Sequence, residues 1–500
     1  MTSALSGRSA EILATLTRLR AADAPTRGGR VLSYVYDSGL AELDELAAEA
    51  IRIMQPVNGL DPTAFPSVAA MERDIVRFAR RMLHGDDVVG TVTSGGTESC
   101  LLAVKTARDV WRAAGGTGTP RLLAPVTVHA AFSKAAQYFD LELDLVPVDA
   151  GGEVGPECLT ERFGPDVALV VVSAPAYPHA SLDPVAQVAA AAADAGIAVH
   201  VDACIGGFVL PWWAGDADPL PAWDFAVEGV TSVSADLHKF GYAPKGASVL
   251  LHRGRDRHRA QYFATRRWPG YPVVNATMLG SKSAGALAAA WAIIERLGES
   301  GFAELAASCR RSTDAVTAAV QAIDGLRVVG SPVGPLCAVA TDDSVQEDRR
   351  VDPHHWADSV RQRGWLLQLQ PGLVQSDGTR LPHTTHLTIT PVTESVLPGL
   401  LSALTSAADE VRGVSAASAA DVVAGLPAGF GDALAALGTR TDQLDSAEAS
   451  ALLNSLGLGI RDGGPVLPER MAPLLALLES LPAPLTERLL VELLAGLTEP

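Results

Sequence analysis

Between about residues 61 and 255, short apolar runs rich in β-branched residues alternate with Ala-rich stretches of helical spacing. The runs read VVGTVTSG, RLLAPVTV, LDLVPVDA, VALVVVSA, IAVHVDA, GVTSVSAD and ASVLLHR. A strand that is apolar on both faces must be covered on both, and a parallel neighbour is reached only through a crossover segment. This rhythm therefore predicts an α/β fold, a mostly parallel central sheet flanked by helices, in a large domain spanning residues 61–300. From 301 to 415 a long helix (GFAELAASCRRSTDAVTAAVQAI), strands LRVVG and LCAVAT, another helix and the strand THLTITP predict a smaller α+β domain. Residues 1–60 read as a helical, polar arm broken at RGGR. Residues 416–500 read as a helical tail containing LLALLESL and LTERLLVELLAGL.

Charge and cysteine usage exclude several classes of function. The chain carries 39 Lys and Arg against 57 Asp and Glu, a formal charge of -18, which argues against a nucleic-acid or acidic-membrane partner. No apolar run approaches the roughly 18 residues of a membrane span, and the first thirty residues interleave Arg with Glu instead of building a signal-peptide core. Cys100, Cys158, Cys204, Cys309 and Cys337 are scattered singly, without the close pairs of a zinc site or disulfide framework. No metal is expected, and the chain reads as a cytoplasmic protein of a reducing compartment.

The chemistry-bearing residues fall where strands end. VTSGGTESC runs from a strand through Gly95 and Gly96 into Thr97 and a helix; it is either an anion site at a helix N-terminus or a tight turn with an ordinary cap. Asp202 ends the apolar run IAVHVD, where an ionised carboxylate needs a cationic partner, or else caps the next turn. His129 in TVHAAFSKAA taken alone reads as a core histidine. SADLHKFGYAPKG places Lys239 and Lys245 after a strand, with few acidic neighbours expected to pair with them. Ligands of open α/β sheets lie beyond the carboxyl ends of the strands, and one ligand explains all four ends together. Pyridoxal 5'-phosphate has a phosphate for the Gly-Gly-Thr helix, a ring nitrogen for Asp202, a flat ring for His129 and an aldehyde for a lysine. Desolvation would make Lys239 a neutral nucleophile, and His238 beside it could reach the phosphate.

In order and spacing, TSGGTES, HAAFSKAA, PAYPHASLDPV, HVDACIGGF and SADLHKFGYAPKG resemble the pyridoxal-phosphate-dependent decarboxylase superfamily, and within it the sphingosine-1-phosphate lyases. The resemblance covers about residues 30 to 400. It implies a fold-type-I homodimer with the active site at the subunit interface, and a small-molecule amine substrate, a phosphorylated long-chain base, cleaved to an aldehyde and ethanolamine phosphate. It further implies Lys239 as the Schiff-base lysine, Asp202 on the pyridine nitrogen, His129 stacked on the ring and catalytic, and Gly95, Gly96, Thr97, Ser234, His238, Gly280 and Ser281 around the cofactor. Tyr36 of SYVYDSG and Lys245 match catalytic, substrate-binding positions, and Asn58 and Asp61 of NGLDP match substrate positions.

The substrate motifs depart from that family while the cofactor motifs do not. Asp61 stands where the lyases carry a histidine thought to bind the substrate phosphate, and Lys282 of GSKSAG replaces an arginine capable of bidentate binding. Arginines between 253 and 267 form a basic run, either a steering patch or a solvated helical face. Carbon–carbon cleavage of a β-hydroxy amine by retro-aldol, with Tyr36 or Lys245 as base, is the favoured chemistry. Amino-acid decarboxylation is the alternative, and a non-catalytic binding protein is the third reading.

Overall fold

The computed structural model describes residues 2–213, 219–424, 444–456, 458–461, 464–466 and 468–499. Strands β1 (Val88–Thr93), β2 (Arg121–Pro125), β3 (Glu142–Val146), β4 (Val167–Ser173), β5 (Ala198–Asp202), β6 (Ser232–Ala235) and β7 (Ser248–Arg253) form one sheet in the order β1-β7-β6-β5-β4-β2-β3. Only β7 runs antiparallel to its neighbours. The central β4, VALVVVS, is buried at every position, as a strand covered on both faces must be. Helices α1 (Thr2–Arg20), α2 (Ala41–Met54), α3 (Pro66–Met82) and α4 (Gly96–Ala113) open the chain. α4 packs on the sheet through Cys100, Ala103, Val104 and Ala107, a helical stripe, and its first residues lie at the end of β1.

The smaller domain has its own core around Trp356, Val339, Leu387 and Leu404, and a four-stranded antiparallel sheet. The expected border at 300 falls inside a single helix, Gly285–Gln321, which kinks at Gly298 with φ 55°. Its first half packs in the large-domain core and its last residues in the small one. The expected arm is not one unit. α1 leaves Ile12, Leu13, Leu16 and Leu19 exposed, whereas Leu32 is buried in the small domain and receives a bond from neither arm helix: its N–H donates to the Leu366 carbonyl at 2.8 Å. Apolar Leu32 therefore overrides the polar reading of its surroundings.

The tail has a separate core of Leu444, Leu452, Leu477, Leu485 and Leu489. It is pinned to the small domain by buried Asp358, whose carboxylate accepts from the N–H groups of Met471 and Ala472, both at 2.9 Å, at the start of the helix Ala472–Ser480. Residues 425–443 of the expected tail lie outside the described residues. No helix among the described residues is long and apolar enough to cross a membrane.

Candidate active site

A cavity of about 590 Å³ lies where β1, β4, β5 and β6 end, closed on its far side by residues 368–371 of the small domain. Gly95 takes φ +154°, and a Cβ there would stand 3.0 Å from His238 Cε1; a Cβ on Gly96 would stand 2.6 Å from Asp236 Oδ2. Only glycine fits this approach, so bare backbone faces the cavity at the N-terminus of α4, the geometry that receives phosphates. His238 is fixed there by the N–H groups of Gly246 and Ala247, which donate to its Nδ1 at 3.4 and 3.3 Å.

Lys239 and Asp202 both line the cavity. The Asp202 carboxylate accepts from the Cys204 N–H at 3.1 Å and the Ser234 hydroxyl at 3.4 Å, neither of them charged, so its negative charge is left for a ligand. Ser234 is fully buried behind Asp202, bonded also to His200 Nε2 at 3.1 Å; it positions the carboxylate and does not reach the cavity wall. Burial keeps His200 neutral, down to about 4.

Lys239 is not the neutral, unpaired lysine that its sequence neighbours suggest. Burial opposes its charge, but Asp236 lies one helical turn back with Oδ2 2.9 Å from Nζ, and the balance raises the ammonium well above its usual value. Asp236 is itself buried, and despite burial the Lys239 and His238 charges hold it well below the usual carboxylate range. The ammonium must therefore hand over a proton before it can act as a nucleophile.

Tyr36 lines the same wall, edge-on to Phe240, and burial raises its hydroxyl to about 12, so at neutral pH it is a proton donor. Lys245 is not on the cavity wall but stands beside it, 4.5 Å from the Tyr36 ring and donating to the His238 carbonyl at 3.1 Å. Desolvation and the nearby Lys239 charge lower it to about 8, which suits it better than Tyr36 to accept a proton. His129 lines the cavity from its exposed side, its Nδ1 accepting from the Ala131 N–H at 3.2 Å. Thr97 is exposed on the same wall.

Besides Ser234, behind the wall, and Lys245, beside it, four anticipated residues lie in surface loops. Asn58, Asp61, Gly280 and Ser281 are not on the cavity wall. Asn58 Nδ2 donates to Ser281 Oγ at 3.3 Å and its Oδ1 accepts from the Lys282 N–H at 3.3 Å, so the NGL and GSK loops form one surface cluster. Asp61 is exposed and accepts from the Thr63 hydroxyl at 2.6 Å and the Thr63 and Ala64 N–H groups, which lower its carboxyl. Of the basic run, Arg253 binds the Val230 and Phe225 carbonyls, while Arg266 and Arg267 are exposed.

Other wall residues are new to the site. Tyr177, stacked on His386 at 4.2 Å, ends the β4 segment, and a strand-end rule could have found it. Gln368, Leu369, Gln370 and Pro371 come from the other domain, and nothing local in the sequence marks them. Buried Glu98 accepts from the Ser94 and Met278 N–H groups, both at 2.5 Å, tying the phosphate turn to the loop that carries Gly280 and Ser281.

A lysine amine, a buried anion and bare helix N-terminus at the strand ends of a mostly parallel sheet define a pyridoxal-phosphate protein. The family model described as "Pyridoxal-dependent decarboxylase conserved domain" matches residues 34–330, and the chain belongs to that family. Within it the sphingosine-1-phosphate lyases are similar. The one from Dictyostelium discoideum is 36% identical over 66% of this chain and 61% of its own length, and that of Oryza sativa subsp. japonica 31% identical over 81% and 74%. The solved Burkholderia pseudomallei K96243 sphingosine-1-phosphate lyase superposes with TM-score 0.74 at 32% identity, covering 81% of this chain and 91% of that one. The chain thus spans about three fifths of the length of the Dictyostelium relative. A second model, "Pyridoxal-dependent enzyme, C-terminal putative HTH domain", matches residues 428–496.

Proposed function

We propose that the protein is a pyridoxal-phosphate-dependent carbon–carbon lyase that cleaves a β-hydroxy amine, sphingosine-1-phosphate-like, into an aldehyde and an amine. The observation that carries this choice is the composition of the cavity wall. Its one lysine is Lys239 and its histidines are His129 and His238, all with duties toward the cofactor; no arginine is among the described wall residues, and the small-domain side is the uncharged Gln368–Pro371 segment. A substrate α-carboxylate, which decarboxylation requires, finds no dedicated cation among the described wall residues. A β-hydroxyl needs none at the reacting carbon, and a substrate phosphate, one carbon further out, falls to Lys282 in the cluster that a second copy brings.

Bound pyridoxal phosphate supplies an electron sink for the bond broken beside the amine-bearing carbon. Lys239 would hold it through its aldehyde, Asp202 would face its ring nitrogen, and Gly95, Gly96 and Thr97 with His238 would hold its phosphate. Lys245 takes the proton from the substrate β-hydroxyl, and Tyr36 donates a hydrogen bond beside it. Asn58, Ser281 and Lys282 act in a homodimer, where a second copy brings their cluster over the cavity. Exposed Phe263, Trp268, Tyr271, Val274, Met278 and Leu279 around that cluster support such an interface. The five unpaired cysteines support a reducing, cytoplasmic setting. The tail, with four basic against eleven acidic residues between 416 and 500, offers no footprint for a nucleic-acid backbone, and we read it as a cap on the small domain.

The test is a panel of β-hydroxy amines with and without phosphate beside aromatic and acidic amino acids. Aldehyde from the amines supports the proposal; carbon dioxide from the amino acids replaces it with decarboxylation. A protein that stays colourless after addition of pyridoxal phosphate would favour a non-catalytic role.

A further inference from the structure

Cys100 and Cys204 are distant in sequence and adjacent in space. Cys100 lies in the second turn of α4 and Cys204 just past the end of β5, so the packing of that helix on the sheet brings their thiols together. Their sulfurs and a carboxylate oxygen of Asp202 all lie within 4.8 Å of one another. The three residues are 1%, 7% and 8% exposed, and all three face the cavity, so the cluster is enclosed by protein yet reachable from the pocket.

This is the donor set of a soft divalent cation. Thiolates bound tetrahedrally at about 2.3 Å from zinc lie about 3.8 Å apart, inside the spacing observed. The outer contacts are also in place. Ser234, bonded to His200 Nε2, donates its hydroxyl to the Asp202 carboxylate at 3.4 Å, and the Cys204 N–H donates to the same carboxylate at 3.1 Å, so the oxygen ligand is oriented from behind.

We propose that the cofactor-free pocket binds one thiophilic divalent cation, zinc or cadmium, through Cys100, Cys204 and Asp202, and that this cation and pyridoxal phosphate exclude each other. Binding displaces one proton from each thiol to solvent, forms two metal–sulfur bonds and one metal–oxygen bond, and changes no oxidation state. The exclusion rests on the reading that Asp202 serves the cofactor's ring nitrogen, since one carboxylate cannot hold both charges. The protein would then be poisoned by such cations before cofactor loading and protected after it.

The experiment uses the full chain in a Cys158→Ser background, which removes the exposed thiol. Cofactor-free protein is titrated with cadmium chloride, following the near-ultraviolet thiolate-to-cadmium band and the bound metal by equilibrium dialysis. One cadmium per chain with that band is expected, prevented by prior loading with pyridoxal phosphate. Removing an outer-shell partner commonly costs about 10- to 100-fold in affinity, so Cys100→Ser and Cys204→Ser, which remove a ligand, should each cost more than about 100-fold. Equal affinity in both serine variants overturns the proposal, as does a band of undiminished size in the cofactor-loaded protein. The second measurement needs no variant in the site and decides the matter even if a serine substitution impairs folding. Failure of the Asp202 reading is told apart by Asp202→Asn, which would then retain turnover with the cofactor bound.

Discussion

The residues anticipated for the site have two addresses, and the cofactor set is divided between them. Lys239, Asp202, His129, His238, Gly95, Gly96 and Thr97 converge on one cavity within a single chain, at the ends of hydrogen-bonded strands. Asn58, Asp61, Gly280 and Ser281 gather on the surface, held to each other by loop contacts such as Asn58 to Ser281. The first group depends on sheet order; the second joins Gly280 and Ser281, anticipated for the cofactor, to Asn58 and Asp61, anticipated for the substrate, beside exposed Phe263, Trp268 and Tyr271. The departures from the lyase motifs, Asp61 and Lys282, fall in the second group. Substrate preference can thus drift on the loops while the strand ends stay fixed.

Four substitutions test that division. Lys239→Ala should abolish both the borohydride-reducible cofactor linkage and turnover; peptide mapping that found the label on Lys245 would overturn the assignment. Asp202→Asn should keep the cofactor and lose about 10²- to 10³-fold or more in rate, the usual cost of removing a preorganised charge. Turnover near the wild-type value would contradict it.

Lys245 joins the two groups, since it stands beside the cavity wall. Its amine is lowered to about 8 by desolvation and by Lys239, so it loses its proton as pH rises through that value. The rate should climb with pH through about 8, and Lys245→Met should flatten that limb and cost about 10²-fold. An unchanged pH–rate profile in the variant would assign the limb to another group. Asp61→His should have the smallest effect. An exposed charge engaged by Thr63 is screened by solvent and salt, and pairs at such sites contribute little. The preference for phosphorylated over unphosphorylated β-hydroxy amines should therefore move by no more than about fivefold. A hundredfold change in that ratio would mean that a second chain buries Asp61 against the substrate, which would sharpen the division into one between subunits.

The large domain was legible because a strand buried on both faces has to be written in apolar residues, and β4 is. Asp202 and Lys239 were legible for the complementary reason: an ionisable residue directly after such a run has to be accounted for. Three features were not. Asp236 lies within the motif that carries Lys239, yet its ion pair depends on how the turn after β6 closes. The Cys100–Cys204 contact depends on which face of the sheet α4 covers, and the Gln368–Pro371 wall on how two domains dock. Each is a juxtaposition of segments with no local signal. The helix Gly285–Gln321 hid the domain border in the same way, because helical spacing continues across Gly298.

The turn that carries Lys239 leaves the sheet from β6 and returns to it on β7, and the two strands are hydrogen-bonded neighbours, Ala235 opposite Val249. On the other side, Ser234 of β6 stands opposite Asp202 of β5. The amine is therefore mounted on a closed loop anchored at both feet to the same rigid frame as the carboxylate. Swinging the small domain, or separating the copies of the proposed homodimer, leaves the span between these two groups untouched. A chain made monomeric by charged substitutions among the exposed aromatics at 263–279 should still take up pyridoxal phosphate covalently, turning yellow, while turning over no substrate.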